Sequence, residues 1–467
     1  MNETRYKEYL KRTEPTMEQL KEQSQTRFDP PPLISIVCDS ELDLAEQSYR
    51  NFEQADIDSA SGDCLLFLPS GSQLRNDALF MFAKEVTQGA DCVYCDEDEC
   101  GKNPLFKPDY SPQTLKSCNY IGGALLVSRD LFNRAGGKHY STHDFALDMT
   151  RQAKKVSHIP RVLLRQIKRA PLMITPWRPK ATTGMVSVIL INTSGYEALK
   201  ETLLSIEQVS VYDNYELVIA DAAPYEKRLE RLYVSLERNK AAIVYRCADP
   251  SNLAADANKA TALAHGKFLL FMSAGTTPKS GDFMGVLMEM AAERGIGAAG
   301  GRLEYALGTL NSCGVVVGLF GGLFSLYEDR KIEPRDEYCS FFTDCIRNVS
   351  ALRLDGLMVK RSIFDSLSGF DETLSRVGFA EEFCHRLQQR MLGVVYVPQA
   401  VLVVQSSERP TIPDAKNSER LMDVFRPMLV HGDPMFNPNL DYNCGAVQVA
   451  AEPISALTLH GDNGWWT

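Results

Sequence analysis

The sequence KFLLFMSAGTTP, residues 267–278, and its earlier near-copy DCLLFLPSGSQL, residues 63–74, decide the fold. Each stretch is an apolar run followed by a turn of small residues, a pattern that predicts a buried strand ending in a loop. Gly71 aligns with Gly275 in the two turns. The chain therefore contains two related stretches, and each is expected to lie at the centre of its own unit.

Further apolar runs alternate with helical patterns around both stretches. The runs that predict strands are residues 33–38, 63–68, 91–95 and 156–164 in the first half, and 185–192, 215–220, 243–245 and 268–272 in the second half. The segments between them carry apolar residues at helical spacing. Strands that alternate with helices predict an α/β protein with mainly parallel sheets.

The two halves also resemble each other outside the turns. ALLVSRDLF (124–132) aligns with GLMVKRSIF (356–364), and HIPRVLL (158–164) aligns with YVPQAVL (396–402). A tandem duplication explains both matches. The first copy is shorter before its turn, so it is predicted to lack most of the front half of the unit.

The remaining segments complete the predicted organisation. Thr16 and Gln19 form a capping box ahead of a short helix, and Pro30, Pro31 and Pro32 end helical structure. The predicted segments are a helical strap (1–32), a truncated first domain (33–168), a proline-rich linker (169–184), a second domain (185–408) and a C-terminal wrap with little regular structure (409–467).

Composition limits the classes of partner. The 467 residues carry a net charge of −10, with 44% hydrophobic and 24% charged residues, which is typical of a globular protein. Net negative charge argues against nucleic acid as a partner. No apolar run is long enough to span a membrane, and the polar N-terminal residues lack the pattern of a signal peptide. We expect a cytoplasmic protein with reduced cysteines, whose only membrane contact would be peripheral, at the inner membrane.

The segment VYCDEDECGKNPLFKPDYSPQTLKSCNYIGGALLVSRDLF (93–132) resembles the acceptor-side half of bacterial two-domain family-two glycosyltransferases with the GT-A fold. SALRLDGLMVKRSIFDSLSGFDE (350–372) and DPMFNPNL (433–440) resemble their second domain and tail, so the resemblance covers nearly the whole chain. It implies two tandem GT-A-like domains, the first truncated. It also implies inverting transfer of a sugar from a UDP- or dTDP-type donor to a glycan.

The resemblance assigns a nucleotide site to the second domain. Asp221 stands where the family's base-binding aspartate belongs, and the first domain is expected to have no counterpart. Ser273, Gly275 and Thr276 occupy the turn at which the family holds Mn²⁺ or Mg²⁺ with acidic residues. The turn has no acid in either copy, and such cations prefer carboxylate ligands. No cofactor can therefore be assigned; Lys279 is either a substitute positive charge or an exposed lysine.

The family's catalytic-base motif is split between the copies. Asp144 keeps the base position in the first copy, whereas Ala146 replaces its acidic companion. In the second copy Ala380 stands at the base position, followed by Glu381 and Glu382. Neither copy therefore combines a base, a metal turn and a nucleotide grip, and Glu381 or Glu382 would have to act as the base of an active second domain.

Other polar residues allow two interpretations each. Asp96 and Asp98, with Asn119 further along the segment, belong to the acceptor side by resemblance, but the acidic run also fits a solvated loop. His139, His143 and His158 could bind a metal or could be ordinary surface and core residues. Trp465 and Trp466 could stack on a sugar, anchor in a partner or dock on the protein itself.

Three functions remain open at this point. The first is an active, metal-independent or weakly active glycosyltransferase. The second is an inactive homologue that binds a glycan, a nucleotide sugar or a partner such as another glycosyltransferase. The third is a structural protein that reuses the fold, for which a homo-oligomer is the partner to test.

Overall fold

A computed structural model of the chain describes residues 2–138, 142–177, 183–247, 251–331, 333, 336–405 and 415–452. The chain forms two compact units. Unit 1 comprises the residues up to Thr175 together with Pro434–Asp441 and the segment from Val447, and unit 2 comprises Pro176–Asp433 with Tyr442–Ala446. His139, Trp465 and Trp466, singled out in the sequence, lie outside the described residues.

Unit 1 opens with two helices in the predicted strap, and four strands and then a mixture of helices and strands follow. These elements are α1 (Glu3–Thr13), α2 (Met17–Gln25), β1 (Ile34–Val37), β2 (Phe52–Gln54), β3 (Cys64–Phe67), β4 (Gln73–Leu74), α3 (Ala78–Thr87), β5 (Cys92–Glu99), β6 (Lys102–Leu105), α4 (Pro112–Ser117), β7 (Leu125–Ser128), α5 (Arg129–Arg134), α6 (Thr142–Gln152) and β8 (Val156–Gln166). The capping box of Thr16 and Gln19 at the start of α2 is present as predicted.

Unit 2 is larger. Its elements are β9 (Val186–Asn192), α7 (Tyr196–Val209), β10 (Tyr215–Asp221), α8 (Lys227–Arg238), β11 (Ile243–Arg246), α9 (Leu253–Leu263), β12 (Phe268–Ser273), β13 (Thr276–Pro278), α10 (Phe283–Ala292), β14 (Ile296–Tyr305), β15 (Leu310–Ser312), β16 (Val316–Leu319), β17 (Gly322–Phe324), α11 (Glu337–Asp344), β18 (Arg347–Asn348), β19 (Leu357–Lys360), α12 (Arg361–Ser366), α13 (Phe379–Gln389), β20 (Gly393–Val404) and α14 (Ala415–His431).

The main sheets of the two units have matching strand orders. The order is β2-β1-β3-β7-β5-β8-β4 in unit 1 and β11-β10-β9-β12-β19-β14-β20-β13 in unit 2. In each, the strand that opens the unit lies between two parallel neighbours, and the next strand is antiparallel. The strands of the two opening stretches, β3 and β12, are buried along most of their length. The predicted α/β fold, with a shorter first unit, is confirmed.

Between β1 and β3, unit 1 has only β2, which pairs in parallel with β1 as β10 pairs with β9. Unit 2 has α7, β10, α8, β11 and α9 between the corresponding strands, so the predicted truncation of the first unit is confirmed. β2 ends at Gln54, one residue after Glu53, whereas β10 continues beyond Glu216 to Asp221. The expectation of a C-terminal segment with little regular structure is wrong. The C-terminal segment contains α14, whose Leu421 and Phe425 are fully buried, so its apolar spacing was missed beside the polar residues around it.

One hydrogen-bond network recurs in both units and joins the first two strands to the central one. The Ser35 hydroxyl donates to Glu53 (2.6 Å) and accepts from the Gly62 N–H (2.7 Å). In unit 2 the Ser187 hydroxyl donates to Glu216 (2.6 Å) and accepts from the Gly266 N–H (2.8 Å).

An arginine completes each network. Arg129 Nε donates to the Gly62 carbonyl (2.6 Å), and Arg361 Nε donates to the Gly266 carbonyl (2.8 Å). These arginines occupy the same position in the aligned segments 124–132 and 356–364. The same buried polar contacts therefore fix the start of the central strand in both units.

We expect Gly266→Ala to destabilise unit 2. A Cβ at this position would lie 2.5 Å from the Ser187 Oγ and 2.6 Å from its backbone N. Overpacking of this kind costs about 2 kcal/mol, which a lower calorimetric Tm would report. Gly445→Ala is the control, because its Cβ would meet the Phe320 ring at an ordinary 3.4 Å. Equal melting of both variants would contradict the prediction.

Candidate functional site

The candidate site of unit 2 lies at the carboxyl ends of its parallel strands. Asp221 ends β10 and pairs in register with Asn192, which ends β9. Ser273 ends β12 and pairs with Ile191, one residue before Asn192. In open α/β sheets, ligands bind in the crevice beyond these strand ends. Asp221 and the turn that follows Ser273 therefore lie at the same edge of the sheet.

Asp221 is half-buried within a small polar cluster. Its carboxylate accepts from the Asn192 Nδ2 (3.3 Å) and from the Ala223 N–H (3.4 Å). Asn192 Nδ2 also donates to the Tyr233 hydroxyl (3.0 Å), whose pKa burial and the neighbouring Asp221 raise. The Tyr233 hydroxyl also interacts with Asp221, and the hydrogen bonds from Asn192 and Ala223 are long, so the carboxylate can still accept a further donor from a ligand.

The turn after β12 is bound to a carboxylate that the sequence analysis did not single out. Asp355 accepts from the Ser273 N–H (2.6 Å), from the Ser273 hydroxyl (3.3 Å) and from the Thr276 hydroxyl (2.9 Å). It lies two residues before β19, the antiparallel neighbour of β12. Burial raises the pKa of the Asp355 carboxyl, although these three hydrogen bonds oppose the shift.

The other donors of the turn also have partners within unit 2. The Ala274 N–H donates to the Ile191 carbonyl (2.9 Å) and the Gly275 N–H to the Thr202 hydroxyl (2.8 Å). Lys279 Nζ, a predicted substitute for the metal, donates to Glu304 (2.7 Å). Gly275 has a φ of +98°, a backbone conformation suited to glycine. These hydrogen bonds to other parts of unit 2 hold the turn in place.

The residues at the turn do not fit the divalent cation that the glycosyltransferase resemblance implies. A hard cation requires several oxygen ligands, preferably carboxylates. The turn offers one carboxylate, Asp355, and two hydroxyls that already donate to it. Within the described ranges, no group of three or more His, Cys, Asp or Glu side chains is arranged to hold a metal ion.

Glu381 and Glu382, the predicted bases of unit 2, are both buried and ion-paired at the start of α13. Glu381 pairs with Arg353 (2.9 Å). Glu382 pairs with Arg386 (2.8 Å), which also donates to the carbonyls of Leu367 (2.7 Å) and Gly369 (2.8 Å). Burial raises the pKa of Glu382, with Arg386 opposing it. This geometry gives Glu382 a structural role, in which it holds the arginine that fixes the loop after α12.

Asp144, the predicted base of unit 1, is exposed in the first turn of α6. Its neighbour His143 contacts the Leu115 carbonyl (2.6 Å) through Nε2. At the turn of unit 1, the Gly71 N–H donates to the Ser40 hydroxyl (2.9 Å). Among the residues that the structure describes, no group of His, Cys, Asp or Glu side chains at this turn could hold a cation.

The acidic run of unit 1 is a buried strand, so its interpretation as a solvated loop is wrong. Asp96 accepts from the Lys107 N–H (2.9 Å) and from Asn437 Nδ2 (3.0 Å), and Asp98 accepts from the Tyr6 hydroxyl (2.5 Å). These carboxylates tie the strand to neighbouring segments of unit 1. Their hydrogen bonds make them structural residues.

Asp98 nevertheless keeps one oxygen, Oδ1, without a hydrogen-bond partner among the described residues, and so does Asn119, the third residue of the acceptor-side prediction. Asn119 is half-buried, and the oxygen without a partner is its Oδ1. An acceptor oxygen left in this state is suited to a ligand hydroxyl or to water. Asn119 therefore stays a candidate for the acceptor side, which no contact yet tests.

His158 lies between two carboxylates, with its side chain 1% exposed. Nε2 contacts Asp96 (3.0 Å) and Nδ1 contacts Asp109 (3.0 Å), while the ring stacks on Tyr94. Burial alone would lower the pKa of His158, but the two carboxylates outweigh it and raise the pKa above its ordinary value. Of the three histidines in the sequence cluster, His158 is thus part of the interior of unit 1.

Sequence reasoning missed Asp355 although a signal was present. The aligned segments 124–132 and 356–364 can be extended by one residue, which sets Asp355 against Gly123. An acid next to a strand in one copy, where the other copy has glycine, marks a local change in chemistry. Gly123 leaves no room for a side chain, since its Cβ would lie 2.7 Å from Gln166 Nε2.

We expect Glu382→Ala to lower the stability of unit 2. Removing one partner of a buried ion pair costs about 3 kcal/mol, because Arg386 would lose its bidentate acceptor. Chemical unfolding measures the change, and Glu419→Ala, an exposed acid, is the control with little expected effect. Unchanged stability combined with lost sugar transfer would instead support Glu382 as a base.

His158 predicts a pH dependence of stability for unit 1. A histidine with a raised pKa in the folded state stabilises the fold fully below its unfolded pKa of about 6.5. That contribution is lost as the pH rises through the folded-state pKa. Unfolding measured from pH 5.5 to 9 should show this decline in the native chain and not in His158→Gln. The exposed His431→Gln should keep the native profile; a decline that persists in His158→Gln would contradict the assignment.

The chain is similar in sequence to known proteins. No family model matches the chain. It is 25% identical over 450 residues to the uncharacterized protein y4gI of Sinorhizobium fredii (strain NBRC 101917 / NGR234), covering 82% of this chain and 49% of that protein. It is 24% identical over 462 residues to the O-antigen biosynthesis protein RfbC of Myxococcus xanthus, covering 87% and 35%. The chain thus spans about half and about a third of the lengths of these relatives.

Two solved structures are similar to part of the chain. GalNAc-T7 with UDP, GalNAc and Mn²⁺ is 15% identical with a TM-score of 0.42, covering 52% of this chain and 48% of the other. The mannosyltransferase PcManGT of Pyrobaculum calidifontis with GDP-Man and Mn²⁺ is 15% identical with a TM-score of 0.39, covering 56% and 71%. In the described part of the chain, no helix is both long and apolar enough to cross a membrane. The predicted resemblance to glycosyltransferases is confirmed as a resemblance.

Proposed function

We propose that this chain is a glycosyltransferase-like protein of polysaccharide assembly whose second unit binds a nucleoside-containing ligand but has lost metal-dependent sugar transfer. The proposal rests on one contrast at the carboxyl edge of unit 2. The Asp221 carboxylate at the end of β10 can still accept hydrogen bonds from a ligand. In contrast, Asp355 is bound to the turn after β12, and the candidate base Glu382 is paired with Arg386.

The nucleoside part of the proposal is supported by the position of Asp221. A carboxylate at the end of a parallel strand can accept hydrogen bonds from the N–H groups of a base or from ribose hydroxyls. Asn192 on the neighbouring strand donates to this carboxylate and also to the Tyr233 hydroxyl of α8. In this proposal the base or ribose replaces the long contacts of Asp221 with shorter ones.

The loss of transfer is supported by the state of the candidate bases. A general base must reach the acceptor hydroxyl in its unprotonated form with a lone pair available. Glu381 and Glu382 are each committed to an arginine and are 5% and 3% exposed. Of the functions left open by the sequence, an inactive homologue that binds a ligand is therefore favoured over an active, metal-independent transferase.

We also propose that the units are two copies of one ancestral domain. The common strand order and the repeated network of Ser35 and Ser187 with their glycines support this. In this proposal the first copy contributes no nucleotide site. Its strand β2 ends at Gln54, before the position that corresponds to Asp221 of β10. The glycan would be recognised by unit 1, with Asn119 as a candidate contact.

Calorimetry on the full chain tests the binding. Uridine and thymidine are the probes, and one of them should bind saturably. Asp221→Ala should weaken that binding about tenfold, the effect of losing one good hydrogen bond to a charged acceptor. The exposed Asp213→Ala is the matched control and should bind like the native chain. Absence of saturable binding to either nucleoside would overturn this part of the proposal.

Turnover is measured separately with a panel of UDP- and dTDP-sugars, with and without Mn²⁺. We expect no release of nucleotide above that of a heat-denatured sample. Sugar transfer that Asp221→Ala abolishes would instead establish an active glycosyltransferase. Binding and turnover therefore decide the two halves of the proposal independently.

A further inference from the structure

The turn after β12 and the Asp355 carboxylate bound to it indicate which ligands unit 2 accepts. Neighbouring strands lie about 4.8 Å apart, so Asp221 on β10 and Ser273 on β12, two strands away, are about 10 Å apart across the sheet. A nucleoside diphosphate whose base or ribose contacts Asp221 is long enough to bring its phosphates to the turn. The chemistry of the turn therefore decides whether those phosphates are tolerated.

We propose that Asp355 is a specificity-determining residue that excludes diphosphates from unit 2, so that the site takes nucleosides or neutral ligands in place of nucleoside diphosphates. This inference rests on the proposed nucleoside site and deepens it. The carboxylate of Asp355 lies within hydrogen-bond distance of Ser273 and Thr276. An anion at the turn would face this like charge in a partly desolvated place.

The backbone N–H groups of the turn, which are the kind of donor that commonly binds phosphate, already donate to other groups of the protein. Phosphate sites rely on backbone N–H groups that point to the ligand and on lysine or arginine. Here the N–H groups of Ser273, Ala274 and Gly275 each donate within the unit. A phosphate would have to break these hydrogen bonds before it could gain its own.

Three cations of the neighbouring segments are neutralised as well. Lys279 pairs with Glu304, and Arg302 pairs with Glu304 (3.1 Å) and Asp344 (3.4 Å). Arg353, two residues before Asp355, pairs with Glu381 (2.9 Å). Within this described cluster, three cations thus face three carboxylates, and Asp355 adds a fourth, so the cluster has no net positive charge to offset a diphosphate.

Unit 1 gives an internal comparison. The position aligned with Asp355 is Gly123, whose N–H donates to Glu97 (2.8 Å). Both residues stand two positions before the strand that pairs antiparallel with the central strand. The carboxylate is therefore a property of the second copy and is not needed to form this part of the fold.

The experiment compares ligands that differ only in the diphosphate, with EDTA present. Calorimetry on the full chain with uridine and UDP, and with thymidine and dTDP, gives two matched pairs. The native chain should bind the better nucleoside at least about tenfold more tightly than its diphosphate. Asp355→Asn should remove this preference through about tenfold tighter binding of the diphosphate, with nucleoside binding unchanged.

Inorganic pyrophosphate provides a second readout that does not depend on Asp221. The native chain should not bind it, and Asp355→Asn should. Asp365→Asn, which removes one exposed charge from the same unit, is the matched control and should behave as the native chain. If Asp355→Asn does not fold, as judged by its Tm, Asp355→Ser replaces it, because a hydroxyl keeps an acceptor for the turn.

Three results would overturn the inference. The first is equal or tighter binding of the diphosphate by the native chain in EDTA, and the second is a failure of the Asp355 variants to gain pyrophosphate binding. The third is a gain in UDP affinity when Mn²⁺ is added to the native chain but not to Asp355→Asn, which would make Asp355 a metal ligand. Failure of every nucleoside to bind would refute the proposed function alone, because the pyrophosphate measurement still decides the role of Asp355.

Discussion

The pairing of β12 with two neighbours of opposite direction determines the chemistry of unit 2. The parallel neighbour β9 brings Asn192 and, through β10, Asp221 to the edge where β12 ends. The antiparallel neighbour β19 begins at that same edge, so the residue that precedes it meets the turn. A side chain at this position contacts the turn because of strand direction, and in this chain it is Asp355.

A second constraint is that charges in the interior must be paired. Glu382, Glu381 and Lys107 are all buried, and each has found partners within its own unit. Such pairs hold loops and strands in place. A carboxylate bound in such a pair is not available to act as a catalytic base. The proposed loss of transfer thus follows from where the carboxylates are buried as much as from which residues the family motifs lack.

Much of the fold could be predicted from the sequence because apolar runs of fixed length fit few structures. The strands β9, β10 and β12 and the position of Asp221 followed from such runs. Short strands such as β2 were missed, because three residues carry too little pattern. The burial of Asp96 and Asp98 was also missed, since their partners Asn437 and Tyr6 are distant in sequence. The role of Asp355 depends on pairing between strands, which periodicity within one strand does not reveal.

The return of residues 434–441 to unit 1 has a consequence for how the chain acquires its structure. Asn437 donates to Asp96 from a position 341 residues further along the chain. During synthesis all of unit 2 up to Asp433 emerges before this partner exists, so for most of translation Asp96 has only the partners from its own part of the chain, the Lys107 N–H and His158. Long-range closures of this kind are slow because the entropy of the intervening loop opposes them. Unit 1, although first in sequence, is therefore the last to be completed.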